Sequence, residues 1–511
     1  MSLTLASRIL GYVRDMLIAW SFGTGIYADA FIVAFRLPNM FRRLVGEGAL
    51  GMAFIPVFHD QALRRGPRAA LDLAVAAFRH LALSLALIVL LGVVAAPLIV
   101  RALAPGFAVS GASFQLAVLL TRIMLPYLLL TGLVAMAMGI LNALGHFTAP
   151  ALAPLALNGA MIAAVLLGVW WAPSLAMRAA VLAAGVVVGG GLQVALQLPV
   201  LTARGIAFRR KVPVETGVLA RFGRATVPVL LGGAAYQVNV LLGTLLASYL
   251  AAGSVSYLFY ADRLVQFPLG IFAISAVTVV MPDFSRQAAQ GHLEDIKATF
   301  LQSLQLVWFV ILPSMVGLMV LREPIVAVLF EHGAFGSDSV RLTSYALLWY
   351  STALWAYAAL RILLAVFYAL QDAYRPLQAA AAGVLVNVAA GIALMPAMGP
   401  GGIALAASLA AVLNVVLLTV MLRRRIGPLG GLRLAAATGR IACCALLMGG
   451  AVYGLDHWMA LHLSRTTGLS ALRLGVDVAA GVTVYIAAAF FGNIPELQIC
   501  RRVVFKGKKR S

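Results

Sequence analysis

The sequence predicts an all-α polytopic membrane protein of about fourteen transmembrane helices: two parallel six-helix bundles around a central cationic cavity, plus two extra C-terminal helices. Three observations predict it. The chain of 511 residues is 63% hydrophobic and only 11% charged, against about 25% charged in soluble proteins. Apolar runs long enough to cross a hydrocarbon core of about 30 Å recur from end to end. An internal repeat then divides most of these runs into two sets of six.

The apolar blocks place spans near 3–22, 28–56, 73–103, 115–143, 149–172, 176–203, 222–250, 255–281, 298–330, 340–370, 376–397, 401–422, 434–455 and 470–492. The links are short, so no soluble domain is inserted. The expected organisation is an N-terminal six-helix bundle (1–203), a cytoplasmic linker (204–221), a second six-helix bundle (222–425), two added helices (426–492) and a basic cytoplasmic tail (493–511).

The repeat has an offset near 226 residues. Pro97 through Gly106 matches Pro324 through Gly333, Ala143-Leu144 with Pro150 matches Ala369-Leu370 with Pro376, and Phe54-Ile-Pro56 matches Val280-Met-Pro282. Tyr27-Ala-Asp29 recurs as Tyr260-Ala-Asp262. Two halves of six spans each lie parallel, a plan that in transporters surrounds a cleft exposed alternately to either side.

The formal net charge of +21 would point to nucleic acid in a soluble protein. Here the cations gather in alternate links: Arg64, Arg65 and Arg68; Arg204, Arg209, Arg210 and Lys211; Arg423 to Arg425; and the tail from Arg501. The intervening links 23–27, 104–114 and 251–254 carry no Lys or Arg. By the positive-inside rule both termini are cytoplasmic, in agreement with an even number of spans. No basic stretch is interleaved with stacking aromatics, so nucleic acid is not expected as a partner.

Cys443, Cys444 and Cys500 form neither a disulfide framework nor a metal site, and the seven histidines show no ligand spacing. No metal or cofactor is expected. No Walker A loop, GxSxG elbow or long loop with an acidic pair occurs, so ATP hydrolysis and glycosyl transfer are not expected either.

The informative residues are charged and lie inside apolar spans one and two: Arg8, Arg14, Asp15, Asp29, Arg36, Arg42, Arg43 and Glu47. Facing lipid, each would cost about 2.5–3.5 kcal/mol. They must face one another or water. At 100° per residue Asp29, Arg36, Arg43 and Glu47 form one stripe, blurred by a kink expected at Pro38, and Arg43 with Glu47 reads as an i,i+4 ion pair. Arg42 points away from that stripe with no carboxylate on its face. Arg14 points away from Arg8 and Asp15 and has no expected partner in its own helix. Asp262 and Arg263 stand at the corresponding place in the second half, Arg361 is a lone cation in span ten whose expected partner is Glu47, and Arg473 with Asp477 in span fourteen is expected to be self-neutralising. Guanidinium groups stay charged and grip phosphate through two parallel donors, so an arginine-lined cavity points to an anionic, phosphate-bearing ligand.

At these residues the chain resembles the MurJ (MviN) lipid II flippases of the MOP superfamily. The matching stretches are Ser7-Arg-Ile-Leu-Gly-Tyr-Val-Arg-Asp15, Asp29 through Arg43 with Glu47-Gly-Ala-Leu50, Tyr260-Ala-Asp-Arg-Leu-Val-Gln-Phe-Pro268, Pro324 to Phe335, and Phe367 to Asp372. The resemblance implies an alternating-access carrier that moves undecaprenyl-diphosphate-linked disaccharide pentapeptide from the inner to the outer leaflet of the bacterial inner membrane. It implies Arg8, Arg14, Asp29, Arg42 and Arg263 as substrate-binding residues, and Asp15, Arg36, Arg43, Glu47, Asp262 and Arg361 as gate or structural ion pairs. Spans thirteen and fourteen would hold the polyprenyl tail, and the partners would be lipid II, membrane lipids and cell-wall synthesis proteins. Gln266 replaces an acid frequent in the family, and spans seven and eleven carry Asn239 and Asn387 but no acid, so the sodium site of some members is not expected. Within the superfamily the alternatives are a flippase for O-antigen or capsule intermediates, or a MATE-like exporter, which the cationic cavity disfavours.

Overall fold

A computed structural model describes residues 2–206, 208, 217, 223–224, 237–462 and 467–498, and every regular element among them is helical. Helix α1 (Ser2–Phe22) ends at Gly23, whose φ of +60° lets the chain reverse into α2 (Ile26–Phe41). Helix α2 runs on as a π-helical stretch (Arg42–Ala49) and α3 (Leu50–Arg65). Next come α4 (Pro67–Val94), α5 (Ala96–Leu103), α6 (Ala112–Met124), α7 (Pro126–Ala143), α8 (Thr148–Trp171) and α9 (Leu175–Ala203). The second repeat begins with α10 (Gln237–Ala247) and α11 (Ser254–Pro268), followed by a π turn (Leu269–Ala273) and α12 (Ile274–Ala289). It continues through α13 (Leu293–Val320), α14 (Arg322–Phe330), α15 (Ser337–Ser351), α16 (Leu354–Ala369), α17 (Tyr374–Met398) and α18 (Pro400–Ile426). Helices α19 (Gly431–His462) and α20 (Thr467–Phe491) close the chain.

The sequence offset of 226 reappears in the element boundaries. Helices α4 and α13 both have 28 residues and start at Pro67 and Leu293, while α7 and α16 end at Ala143 and Ala369. The π stretches also correspond. Each lies between two prolines, Pro38 and Pro56 in the first repeat and Pro268 and Pro282 in the second. Helix continues through Pro38, and the π stretch beginning four residues later takes up the irregularity.

Ten helices among the described residues are long and apolar enough to span a membrane, or eleven if α15 and α16, bent by 46°, form one span. The other three expected spans differ for identifiable reasons. Helix α1 carries Arg8, Arg14 and Asp15, the rod from α2 to α3 is interrupted by its charged π stretch, and the first half of span seven lies outside the described residues, as do Arg209, Arg210, Lys211, Arg221 and the tail from Arg501. Leu83, Leu87, Leu90 and Val94 of α4 are exposed on an apolar face, as lipid contact requires.

The chain forms two compact units. Unit one is Met1–Ser256 with His332–Phe335, and unit two is Tyr257–Glu331 with Gly336–Ser511. In unit one, Phe54, Phe58, Leu73, Met136, Ile140 and Leu201 form a buried cluster that ties α3 to α4, α7 and α9. Gly185 lets α9 approach α8 closely, since a Cβ there would lie 2.3 Å from Ala164 Cβ. In unit two α19 packs along α13, and Tyr485 of α20 donates a 2.6 Å hydrogen bond to the Phe309 carbonyl of α13. The two added helices are thus anchored on the second repeat.

Phe54→Ala, which empties a fully buried position, should lower stability by about 3–5 kcal/mol. Unfolding in detergent monitored by circular dichroism or intrinsic fluorescence tests this.

Candidate functional site

The intramembrane charges of unit one form three groups. In the first, Arg14 is buried and donates from Nε and Nη2 to Asp15 Oδ1 at 2.9 and 2.7 Å. Its Nη1 reaches Asn158 Oδ1 of α8 at 2.9 Å, and the Asn158 amide donates to the Ser7 carbonyl at 3.0 Å. The expectation that Arg14 lacks a partner in its own helix is therefore wrong. Helical projection assigns directions to Cβ atoms, whereas the long arginine side chain folds back around the helix to its neighbour. Asn158 locks that fold by holding α1 through both side chain and backbone. Arg8, half-buried on the same helix, makes no ion pair among the described residues.

The second group is at the start of the π stretch. Arg42 donates from Nε and Nη2 to Asn39 Oδ1 at 3.2 and 3.1 Å. Its partner is a neutral amide, so the guanidinium keeps its full charge for a ligand. Tyr127 of α7 is fully buried. From Arg42 onward the i→i+5 bonding turns fewer degrees per residue than an α-helix, so the stripe of Asp29, Arg36, Arg43 and Glu47 does not extend unchanged past it. The Glu47 side chain lies outside the described residues, and with it the expected pairs Arg43–Glu47 and Arg361–Glu47. Arg36 and Arg43 are half-buried and engaged by neighbours.

The third group is Asp29, 2% exposed near the start of α2. Its carboxylate accepts the backbone N–H groups of Gly253 at 2.6 Å and Ser256 at 2.8 Å and the Ser256 hydroxyl at 2.5 Å. These are the orphan donors at the N-terminus of α11. A carboxylate from a distant helix does what an N-cap side chain does locally, and the helix dipole favours its charge.

In unit two, Arg263 lies over the Phe259 ring at 5.2 Å. Asp262 accepts from Gln266 at 3.4 Å, and Arg361 is half-buried with its own contacts. Arg473 does not pair with Asp477. It pairs with Asp456 of α19 at 2.5 Å, because the ends of α19 and α20 face each other and offer a cross-helix carboxylate closer than the one a turn away. Asp477 is fully buried. Among the described residues no group of three His, Cys, Asp or Glu side chains could hold a metal ion.

Asn158, Tyr127 and Ser256 were not singled out from the sequence. The cost of burying a polar group, extended from charges to the amide in span five, would have found Asn158. Nothing in the sequence marks Ser256.

Many apolar helices in a duplicated order, with arginines held among them, define a polytopic membrane protein. Comparison with known proteins gives the family. The family model described as "Lipid II flippase MurJ" matches residues 18–468. A Rhizobium tropici protein named "Probable lipid II flippase MurJ" is 35% identical over 98% of this chain and 94% of its own length. The solved structure titled "Lipid II flippase MurJ, inward closed conformation" superposes with a TM-score of 0.80 at 25% identity, covering 96% of this chain and 97% of that one. An inward-facing MATE family transporter of the MOP superfamily shares the fold, with a TM-score of 0.68 at 15% identity over 83% of this chain and 95% of its own. The chain belongs to the MurJ lipid II flippase family and is an integral membrane protein.

Asp29→Ala would leave three buried donors without an acceptor, a loss of about 3 kcal/mol or more. Asp29→Asn keeps one acceptor oxygen and should fall between that variant and the parent in a thermal unfolding series.

Proposed function

We propose that the chain is an alternating-access flippase that carries lipid II, the undecaprenyl-diphosphate-linked disaccharide pentapeptide, from the inner to the outer leaflet of the bacterial cytoplasmic membrane. Membership of the lipid II flippase family and the chain's full-length similarity to its relatives support the substrate. The observation that carries the mechanism is Arg42, a partly buried guanidinium held by an amide and not by a carboxylate.

Charge balance agrees. Between Arg8 and Glu47 the chain has five arginines and three acids inside the membrane, leaving two positive charges. A diphosphate diester carries two negative ones. Asp15 is committed to Arg14 and Asp29 to the α11 terminus, so neither repels the ligand at full strength. In this reading Arg42 and Arg263 grip the diphosphate. Arg14 is held in place by Asp15 and Asn158 and gives its charge at short range, and Arg8 attracts the headgroup. Asp29, Asp15, Arg36, Arg43, Glu47, Asp262 and Arg361 fix the helices that carry these groups. The two six-helix bundles, 1–203 and 222–425, alternate the access of the ligand, residues 426–492 take the polyprenyl tail, and both termini and the 204–221 linker are cytoplasmic. Membership of a flippase family supports a transporter role.

Arg14→Ala, Arg42→Ala and Arg263→Ala, confirmed as inserted and folded, should each fail to restore growth to cells depleted of their own lipid II flippase. Arg42→Lys should retain part of the activity, since it keeps the charge and loses the fork. Full restoration by all three alanine variants would overturn the cationic mechanism. A leaflet-accessibility assay for the lipid-linked precursor separates transport from binding.

A further inference from the structure

Asp477 lies ten residues after Thr467, the first residue of the 25-residue helix α20, about 15 Å along it and so near the middle of the apolar span. It is 0% exposed, and neither of its carboxylate oxygens receives a hydrogen bond from a donor among the described residues. Arg473, one turn away, is spent elsewhere: its Nη2 donates to both the side chain and the main-chain carbonyl of Asp456 on α19. What the Asp477 side chain meets is the Asp456 carboxyl group itself. One turn further along α20 the two helices close tightly, since a Cβ on Gly481 would lie 3.0 Å from Val452 Cγ2.

An ionised carboxylate only accepts hydrogen bonds, whereas a protonated one also donates. One proton between the two groups therefore turns a repulsion into a hydrogen bond. Charge gives the same count. Two carboxylates and one guanidinium leave one negative charge inside the span, where an ionised side chain is disfavoured, and a single proton cancels it. The other charged groups on the packed elements do not. Arg433 and Arg440 lie in the opening turns of α19, and His457 is exposed and stacked on Tyr453. Helices α13 and α14 also pack on α20. Glu294, Asp295 and Lys297 of α13 lie in its first turns, well before Phe309, where that helix meets Tyr485. Arg322 and Glu323 of α14 face each other at 3.9 Å, with side chains 35% and 64% exposed. The charges that act on Asp477 are those of Asp456 and Arg473.

We infer that Asp456 and Asp477 bind one exchangeable proton between α19 and α20, carried by Asp477, while Arg473 holds the ionised Asp456. The proton passes to and from water at the edge of the cluster, where the Arg473 and Asp456 side chains are 16% and 22% exposed. Its release leaves two charged carboxylates in contact, so it loosens the helix pair at this level. The site is built by the two added helices alone and does not depend on the identity of the transported lipid.

The probe is dicyclohexylcarbodiimide, an apolar reagent that takes up a carboxyl together with its proton and leaves a stable N-acylurea. Applied to the full chain in liposomes and located by peptide mass mapping, it should modify Asp477 at about pH 6 and at least fivefold less at about pH 9, whereas exposed Asp338, ionised at both as an ordinary carboxyl is, should stay unmodified. Asp456→Asn releases Arg473 to pair with Asp477 and should lower the modification at about pH 6 at least fivefold. A proton held by the folded chain contributes stability that is lost as pH rises. The parent's unfolding temperature should therefore fall between about pH 6 and about pH 9 more than that of Asp477→Asn, whose amide donates without titrating. This second measurement stands if Asp456→Asn fails to insert. Asp477 left unmodified at about pH 6, modified equally at both pH values or unaffected by Asp456→Asn, or unfolding curves that fall in parallel, would overturn the inference. So would protection of Asp477 by sodium at constant ionic strength, which would assign the place to a metal cation.

Discussion

The arrangement of this protein depends on one constraint: an ionised side chain at bilayer depth must find a partner, water or a ligand. Spans one and two hold eight such groups, and the structure meets the constraint for them in different ways. Arg14 and Asp15 neutralise each other while buried, with Asn158 holding Arg14. Asp29 accepts from the buried N–H groups of a helix end. Arg42 is left with an amide. The difference in treatment matters, because a pair that is internally neutral holds helices together, and a cation held by a neutral group retains affinity for an anion.

Duplication supplies the frame around these charges. The offset that links short motifs in the sequence also links helix boundaries, the breaks between long and short helices, and the two π stretches. The halves are nevertheless unequal in charge. The first repeat carries the dense cluster of arginines, and the second contributes Asp262, Arg263 and Arg361.

Much of this was readable from residue type alone. The apolar runs fix the spans through length and composition, and the alternation of basic links orders them. The pairing of Arg473 with Asp477 failed because it treats a helix as an isolated cylinder, whereas a neighbouring helix can present a nearer carboxylate than the helix itself.

By itself the sequence determined that the chain is all-helical and membrane-spanning, that it is duplicated, and that the charges within its first two spans are mainly arginine, because hydropathy, repeat offset and residue chemistry are properties of the linear order. The tertiary structure decided which charges are consumed and which keep an uncompensated charge. Asp15 takes Arg14, the start of α11 takes Asp29, and Arg42 receives only an amide. Asn158, which holds Arg14, and Ser256, which holds Asp29, lie 144 and 227 residues from those charges along the chain. Only packing brings them within hydrogen-bond range, and no periodicity within one helix encodes that distance.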